Sequence, residues 1–475
     1  MSAMFQSLST RPYRLWFFGA LVSNIGAWMQ STTQDWVVLT KLTDNDAAAV
    51  GVTMALQFGP QLLLVPVTGL IIDRFQRRHI LLVTQTCLML LAAGLGILLL
   101  SGHAELWHLY CFALALGIVN AFDAPARQTF VSELVDDRNM ANAVALNSTS
   151  FNSARLIGPS VAGLLIVAVG SGWVFLLNAV SFIAMIGVLV ALGREKLRTV
   201  TRAPRRPGDV FAGFVYVAQR RDLLLVFIIV FIIGAFGMNF PIFSSTMAVL
   251  FGRDAGGYGL LSSIIAIGSL VGSLLAARRA KPTVRLVVVI AGVFGAAALL
   301  SSVMPTYTLF ALSLVLLGFS TVTMLTTANS YVQTTTEPAV RGRVMAVYTA
   351  ILMGSTLIGA PVVGAVASDA GARWGLRVGA LSGVVACVIG LVWRHRTRHL
   401  EALHAAAATS STDTSVPTGS THGDIGPEHF SEQVALTSPI PLPTTAARRE
   451  QEAARARLER ERAAERERAV SDPVR

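Results

Sequence analysis

The sequence predicts an all-α integral membrane protein with twelve transmembrane helices, in two six-helix halves related by a parallel repeat, with both termini cytoplasmic. Hydrophobic residues make up 53% of the 475 residues and charged residues 14%, which is more apolar than a soluble chain can bury. Apolar stretches recur along the chain, each near the ~20 residues that cross ~30 Å of hydrocarbon as a helix. Because these stretches are continuous and do not alternate, a transmembrane β-barrel is excluded.

The apolar stretches give the expected boundaries of the spans. The first one follows Arg11 and Arg14, is too long for the core of a signal peptide and lacks a small-residue cleavage site. We therefore expect it to remain as the first span. The twelve spans are predicted at about residues 14–40, 51–72, 79–100, 106–128, 142–168, 173–193, 223–250, 257–277, 284–304, 308–330, 344–367 and 375–393.

The basic residues predict the orientation of these spans. Before the C-terminal tail, most arginines and lysines fall in segments that are cytoplasmic if both termini are cytoplasmic. The outer segments carry Lys41, Arg253, Arg373 and Arg377. This asymmetry follows the positive-inside rule and indicates cytoplasmic termini. Membrane topology thus accounts for the net charge of +11, and we expect no nucleic-acid partner.

Composition divides the chain into four segments. Residues 1–193 and 223–396 are the two six-helix halves, and the basic, proline-containing residues 194–222 are a cytoplasmic linker. Residues 397–475 form a cytoplasmic tail.

The tail itself has two parts. Residues 401–447 are rich in Ala, Ser, Thr and Pro, which predicts disorder. Residues 447–469 carry Glu and Arg at i, i+4 spacing without an apolar seam, which predicts a charged, solvated helix and disfavours a coiled coil.

An internal repeat supports the two halves. An offset of 201 residues aligns the fourth to sixth spans with the tenth to twelfth without gaps. Leu and Gly matches are common in such a composition, but Trp173 also falls on Trp374, and tryptophan occurs seven times in the chain. A six-plus-six parallel repeat is typical of secondary transporters with a central site between the halves.

Several classes of function are excluded by what the spans lack. No group of His, Cys or carboxylate residues converges in them, so we expect neither an enzyme nor a metal or cofactor site. The three lysines do not follow the glycine pattern of a phosphate-binding loop, which excludes an ATP-driven pump. A gradient of protons or other ions must therefore supply the energy.

The loop after the second span carries a recognisable pattern. Residues Gly69–Leu81 read G-L-I-I-D-R-F-Q-R-R-H-I-L and resemble the signature of the major facilitator superfamily, with Gln76 where glycine is usual. The resemblance implies a conformational latch between the cytoplasmic ends of the halves. Its residues would be Gly69, Asp73, Arg74, Arg77 and Arg78.

Longer strings narrow the resemblance. They include Leu21–Gln30, Asn120–Val135, Ala154–Gly163 and Arg341–Tyr348, and they resemble the bacterial exporter branch that contains enterobactin exporters and macrolide efflux proteins. This implies a monomeric inner-membrane protein that exports a small siderophore-like or drug-like molecule, with proton antiport and alternating access. An importer on the same fold and a transport-inactive receptor or scaffold using the tail remain alternatives.

The fifth span carries the pattern G-P-x-x-x-G at Gly158, Pro159 and Gly163, just after Arg155. It resembles the antiporter motif of the superfamily, in which small residues permit close helix approach and proline can bend the helix. The resemblance favours export; ordinary helix packing is the alternative.

Polar residues within the spans are candidate contacts for cargo and protons. Asp123 and Arg127 lie four residues apart near the inner end of the fourth span, where they are expected to pair with each other or to join the Asp73 latch. One face of the first span carries Asn24, Trp28, Ser31 and Asp35. Further cavity candidates on the fourth, seventh and tenth spans are Asn120, Asn239 and Asn329.

Arg155 falls near the middle of the bilayer, where an isolated arginine requires a partner. We hypothesise that it faces the first span and pairs with Asp35, the candidate for proton coupling. In the alternative, Asp35 ends its helix beside Trp36 and titrates in outer water.

Overall fold

The computed structural model describes residues 3–193, 209–277, 282–338 and 340–412, together forming a helical chain. A short 3-10 helix (Ala3–Ser9) precedes the first long helix. The α-helices are α1 (Arg11–Thr40), α2 (Ala47–Leu63), α3 (Val65–Arg74), α4 (Arg77–Leu100), α5 (Leu106–Leu134), α6 (Met140–Val169), α7 (Ser171–Leu192), α8 (Asp209–Gln219), α9 (Arg221–Ile232), α10 (Phe240–Leu250), α11 (Ala255–Ala277), α12 (Val284–Val303), α13 (Tyr307–Thr335), α14 (Arg341–Asp369) and α15 (Ala372–Thr412).

Ten helical segments in the described part of the chain are long and apolar enough to cross a membrane. Two of the expected spans are not among them, each for a physical reason. Helix α1 is 30 residues long but carries buried Gln30, Gln34 and Asp35, which lower its apolarity. The second span is divided at Leu64 into α2 and α3, and α2 has 17 residues. Pro60 lies inside α2, and Pro66 falls in the first turn of α3, where proline is tolerated.

The most extensive helix contacts lie within α1–α7 or within α8–α15, with two exceptions. Helix α1 packs on α6 and α7, α4 packs on α5 and α7, and α13 packs on α11 and α12. The exceptions are α2 against α14 and α6 against α11. Glycines permit both: a Cβ added at Gly163 would lie 2.5 Å from the Ala255 carbonyl oxygen, and one at Gly364 would lie 2.5 Å from that of Ala47.

The offset of 201 residues recurs in the helix boundaries. Helix α5 begins at Leu106 and ends at Leu134, and α13 begins at Tyr307 and ends at Thr335. The starts of α6 and α14, and of α7 and α15, differ by the same number. The turns before α7 and α15 each place a glycine at positive φ, 89° at Gly170 and 100° at Gly371, a conformation that glycine adopts without steric cost.

Three features depart from the expected boundaries. The seventh span is interrupted by a π-helix at Ile233–Gly237, between α9 and α10. Helix α8 lies within the expected linker. Helix α15 continues to Thr412, although disorder was expected from residue 401. The alanine-rich sequence after Glu401 has high helix propensity, and extending an existing helix needs no new nucleus.

The end of the chain is distinct from the helices before it. The expected charged helix at 447–469 lies outside the described residues. The chain up to His404 is one compact unit, and the end of α15 belongs to another.

Candidate transport site

A cavity of about 650 Å³ lies among α1, α2, α4, α5, α6 and α7. This volume is in the range of sites that hold drug-sized molecules. Its aromatic lining is Trp16, Phe151 and Phe182. Its polar lining is Asn24, Gln30, Ser31, Gln57, Asn120, Asp123, Arg127, Gln128, Asn147, Ser148, Asn152 and Asn178.

An ion pair forms part of the cavity wall. Nε of Arg127 donates to Oδ2 of Asp123 at 2.7 Å, the i, i+4 pairing expected on one helix face. The other carboxylate oxygen accepts from Thr84 Oγ1 and Gln85 Nε2, both at 2.7 Å, and Arg127 also donates to Ser23 Oγ at 3.0 Å. The two charges therefore neutralise each other and are held by α1 and α4.

The pair lies deeper than the sequence indicated. The fourth span was expected to end near residue 128, but α5 continues to Leu134. At 1.5 Å per residue, Asp123 is about 16 Å from the end of the helix. The expected alternative partner, Asp73, belongs to α3, but its side chain lies outside the described residues.

The polar stripe on α1 is divided between two environments. Asn24 and Ser31 line the cavity, and Trp28 packs beside it against Phe151, with ring centroids 5.8 Å apart. Asp35 lies beyond the cavity and is 4% exposed.

Asp35 contacts α11. Its Oδ2 accepts a hydrogen bond from the Tyr258 hydroxyl at 3.1 Å, and the neighbouring Trp36 stacks on the Tyr258 ring at 5.8 Å. The carboxyl group is thus enclosed between α1 and α11 and is not in open outer water.

The expected pair of Arg155 and Asp35 is absent from the described structure, in which both residues are placed. The Arg155 guanidinium lies over the Trp28 ring, 5.7 Å from its centroid. Side chains on a helix lean toward its N-terminus, so Arg155 leans away from Asp35, which is about 10 Å further along α1 than Trp28. The hypothesis that Arg155 pairs with Asp35 was therefore wrong, because the two side chains lie at different depths.

The G-P-x-x-x-G segment of α6 contacts two helices. Gly158 faces α1, where an added Cβ would lie 2.6 Å from the Trp28 Cβ. The Pro159 carbonyl packs on Gly259 of α11, and the Ser160 hydroxyl donates to that of Ser263 at 2.8 Å. These residues bring α6 close to α1 and α11.

The segment that connects α3 to the start of α4 contacts α5 and α7. Arg77 pairs with Glu133 of α5 at 2.8 Å, and Nε of Arg78 donates to the Leu189 carbonyl of α7 at 2.7 Å. Arg74 is exposed, and Gly69 lies in α3. Gln76 has φ −67° and ψ 126°, an ordinary extended conformation, so the usual glycine is not required there.

Of the three further asparagine candidates, Asn120 lines the cavity, and the other two lie elsewhere in the described structure. Asn239 is buried at the start of α10 and donates to the Ala235 carbonyl at 2.7 Å. Asn329 accepts from Gln333 on its own helix at 2.8 Å.

Several amide side chains in and beside the cavity were not predicted from the sequence. Asn178 of α7 donates to Gln30 of α1 at 2.5 Å, and Gln34 donates to Gln57 of α2 at 3.2 Å. Buried amides in apolar spans are a usable signal, because they must find partners away from lipid.

A family model described as a transmembrane secretion effector matches residues 2–425. The chain belongs to this family of the major facilitator superfamily. It is therefore a multi-pass membrane transporter of small molecules and not an enzyme, and its relatives are consistent with the bacterial inner membrane.

Characterised relatives carry related descriptions. The chain is 25% identical to the staphyloferrin A transporter of Staphylococcus aureus over 70% of this chain and 84% of that protein. It is 24% identical to an enterobactin exporter of Salmonella choleraesuis over 66% and 76%, and 30% identical to the class C tetracycline resistance protein of Escherichia coli over 45% and 51%.

Solved structures share the fold. A nucleoside transporter mutant covers 80% of this chain and 99% of its own with a TM-score of 0.66 at 13% identity. A bacterial homologue of the human lysosomal transporter Spinster, in an inward-facing, occupied conformation, has a TM-score of 0.62 at 14% identity and covers 81% and 97%.

Proposed function

We propose that this transporter is a monomeric secondary exporter, which moves a small siderophore-like or drug-like molecule out of the cell by proton antiport with alternating access. The observation that carries the proposal is the amide-rich cavity among α1 to α7, closed at one end by packing of α2 on α14 and of α6 on α11. A cargo site open at one end and sealed at the other is what alternating access requires.

The inferred topology gives the side of the membrane toward which the cavity opens. We infer twelve spans in two six-helix halves, with α1 and the divided α2–α3 completing the ten apolar segments and both termini cytoplasmic, as the basic residues indicate. The sealed end is then the outer one, because it comprises the C-terminal ends of α1, α6 and α14. The cavity accordingly opens toward the cytoplasm, the orientation in which an exporter binds its cargo.

Proton coupling is assigned to Asp35. It lies at the sealed outer end. Among the described residues, Tyr258 is the titratable side chain to which it is hydrogen-bonded. When α1 and α11 separate, this carboxyl group becomes accessible to outer water. It can therefore gain or lose a proton in step with opening.

The latch assignment also belongs to the proposal. We assign Gly69, Asp73, Arg74, Arg77 and Arg78 to the latch that closes the cytoplasmic end when the outer end opens. In the described conformation, Arg77 and Arg78 bond to α5 and α7, within the first seven helices, which is compatible with a latch that is released while the outer end is closed.

Transport into everted membrane vesicles tests the function. Vesicles that contain the protein should accumulate one or more members of a panel of siderophores and antibiotics when a pH gradient is imposed, and a protonophore should abolish the uptake. Accumulation by right-side-out vesicles instead would establish an importer. A chain lacking residues 413–475 tests the scaffold alternative, because a transporter should retain its flux without the tail.

A further inference from the structure

Arg155 lies in the middle of α6, and no acidic side chain pairs with it in the described structure. Away from the helix ends, the described parts of α1 to α14 carry Asp35, Asp123, Arg127 and Arg155 as acidic or basic side chains. Asp123 and Arg127 pair with each other, and Asp35 bonds to a tyrosine. Among the described residues, Arg155 makes no ion pair and no hydrogen bond. An unpaired guanidinium inside a membrane is costly, which indicates a function.

Its position on α6 points it toward the cavity. Asn147, Ser148, Phe151 and Asn152 line the cavity from α6. Arg155 is the next residue on the same helix face, and its side chain leans back toward Phe151. The backbone of Arg155 therefore lies one helical turn beyond the lining, on the side of the sealed end, and its side chain leans back toward the cavity.

The ring of Trp28 lies against this cation, and the ring of Phe151 packs on Trp28. The guanidinium lies 5.7 Å from the Trp28 ring centroid, and the Phe151 ring meets Trp28 at 66°. A guanidinium held on an indole keeps its planar edge of N–H donors free for a carboxylate, which it can bind with two parallel hydrogen bonds. The adjoining rings can pack against an aromatic group of the same ligand.

We propose that Arg155, Trp28 and Phe151 form a subsite for an aromatic carboxylate group of the cargo. The carboxylate supplies the negative charge that the protein does not place beside Arg155, and the rings select an aromatic body over an aliphatic one. This inference rests on the proposed function in taking the cavity as the site of cargo.

Binding of two small probes tests the subsite. Salicylate carries a carboxylate, and salicylamide replaces it with a neutral amide of similar shape. Purified full-length protein in detergent should bind salicylate at least about tenfold more tightly, the factor given by one charge-assisted hydrogen bond. Arg155→Gln should reduce this preference to near unity, whereas Arg155→Lys, which keeps the charge, should retain part of it.

Arg377→Gln is the matched control. Arg377 also stacks on a tryptophan, with its guanidinium 4.5 Å from the Trp374 ring, but it lies on α15 away from the cavity. Its loss should leave the preference for salicylate unchanged. If Arg155→Gln fails to fold, Arg155→Lys replaces it in the test. Its preference for salicylate should be lower than that of Arg377→Gln, and equal preferences would contradict the subsite.

Several outcomes would overturn the proposal. These are equal binding of both probes by the unmodified protein, no salicylate binding, or an undiminished preference in Arg155→Gln. The vesicle assay separates this failure from that of the exporter function. Proton-driven flux without a salicylate preference removes the subsite alone, whereas the absence of flux for the whole panel removes the transport proposal.

Discussion

Helices α1 to α7 and helices α9 to α14 place different polar groups in the membrane interior. The first group carries two carboxylates, two guanidinium groups and several amides, and hydrogen bonds of both carboxylates and of the amides join different helices. In the described part of the second group, acidic and basic residues lie at helix ends, and many buried hydroxyls bond to a carbonyl of their own helix. Similar helix boundaries therefore enclose different chemistry, and under the proposed function the first group would recognise cargo and protons while the second supplies a packing partner.

The largest expected effect comes from Asp35, whose hydrogen bond joins the two groups. Asp35→Asn should abolish export driven by a pH gradient, because an amide cannot exchange a proton at this position. Cargo binding should remain, since Asp35 lies outside the cavity lining. Flux in everted vesicles and equilibrium binding measure the two properties separately, and unchanged flux would remove Asp35 from the mechanism.

Breaking the cavity ion pair should have the next largest effect. Asp123→Asn leaves Arg127 without its carboxylate in a largely buried position and should lower stability by about 3 kcal/mol. Thermal unfolding of the purified protein in detergent measures this, and adding Arg127→Gln should recover part of the loss. The matched pair Arg220 and Asp222 is more exposed, with 40% and 22% of the side chains accessible, so Asp222→Asn should cost about 1 kcal/mol or less. Equal losses from the two carboxylates would contradict the comparison.

A smaller effect is expected at the contact of α6 with α11. Gly163→Val should disfavour the sealed conformation by roughly 1–3 kcal/mol, because the new side chain meets the Ala255 carbonyl. In a cysteine-free background, a thiol at Ser160→Cys should then react faster with a membrane-impermeant maleimide added from outside. Gly187→Val is the control, because a Cβ there meets nothing within 4 Å. Equal labelling in the two variants would argue against α6–α11 packing as the seal.

The smallest effect should come from a buried hydroxyl of the second group. Thr327 is 5% exposed and donates to the Thr323 carbonyl at 2.6 Å. Thr327→Val keeps the shape, and the carbonyl retains its helical hydrogen bond, so stability should change by less than about 1 kcal/mol. Vesicle flux should also be unchanged. A large loss of flux would show that the second group recognises cargo as well.

The sequence predicted features that depend on neighbouring residues. Long apolar stretches located the ten apolar helical segments to within several residues, and i, i+4 spacing predicted the pair of Asp123 and Arg127. Periodicity also placed Asn24 and Ser31 on the face that lines the cavity.

Contacts between distant segments were not predictable in this way. Asp35 and Tyr258 are 223 residues apart, and Asn178 and Gln30 are 148 apart. Periodicity identifies the buried face of a helix, but it does not identify the helix opposite that face. The π-helix at Ile233–Gly237 escaped prediction because its sequence is as apolar as the helices on either side.

The constant offset between α5–α7 and α13–α15 bears on how such a chain can change over evolution. Corresponding helices of the two sets begin at the same offset, and the glycine turns at Gly170 and Gly371 have that offset too. Recombination that copied one set over the other would therefore keep each helix start at its position in the chain and insert no extra residue at the membrane surface. A gene built in this way can exchange three-helix blocks between its two ends, and new combinations of cavity wall and packing partner can arise in one step.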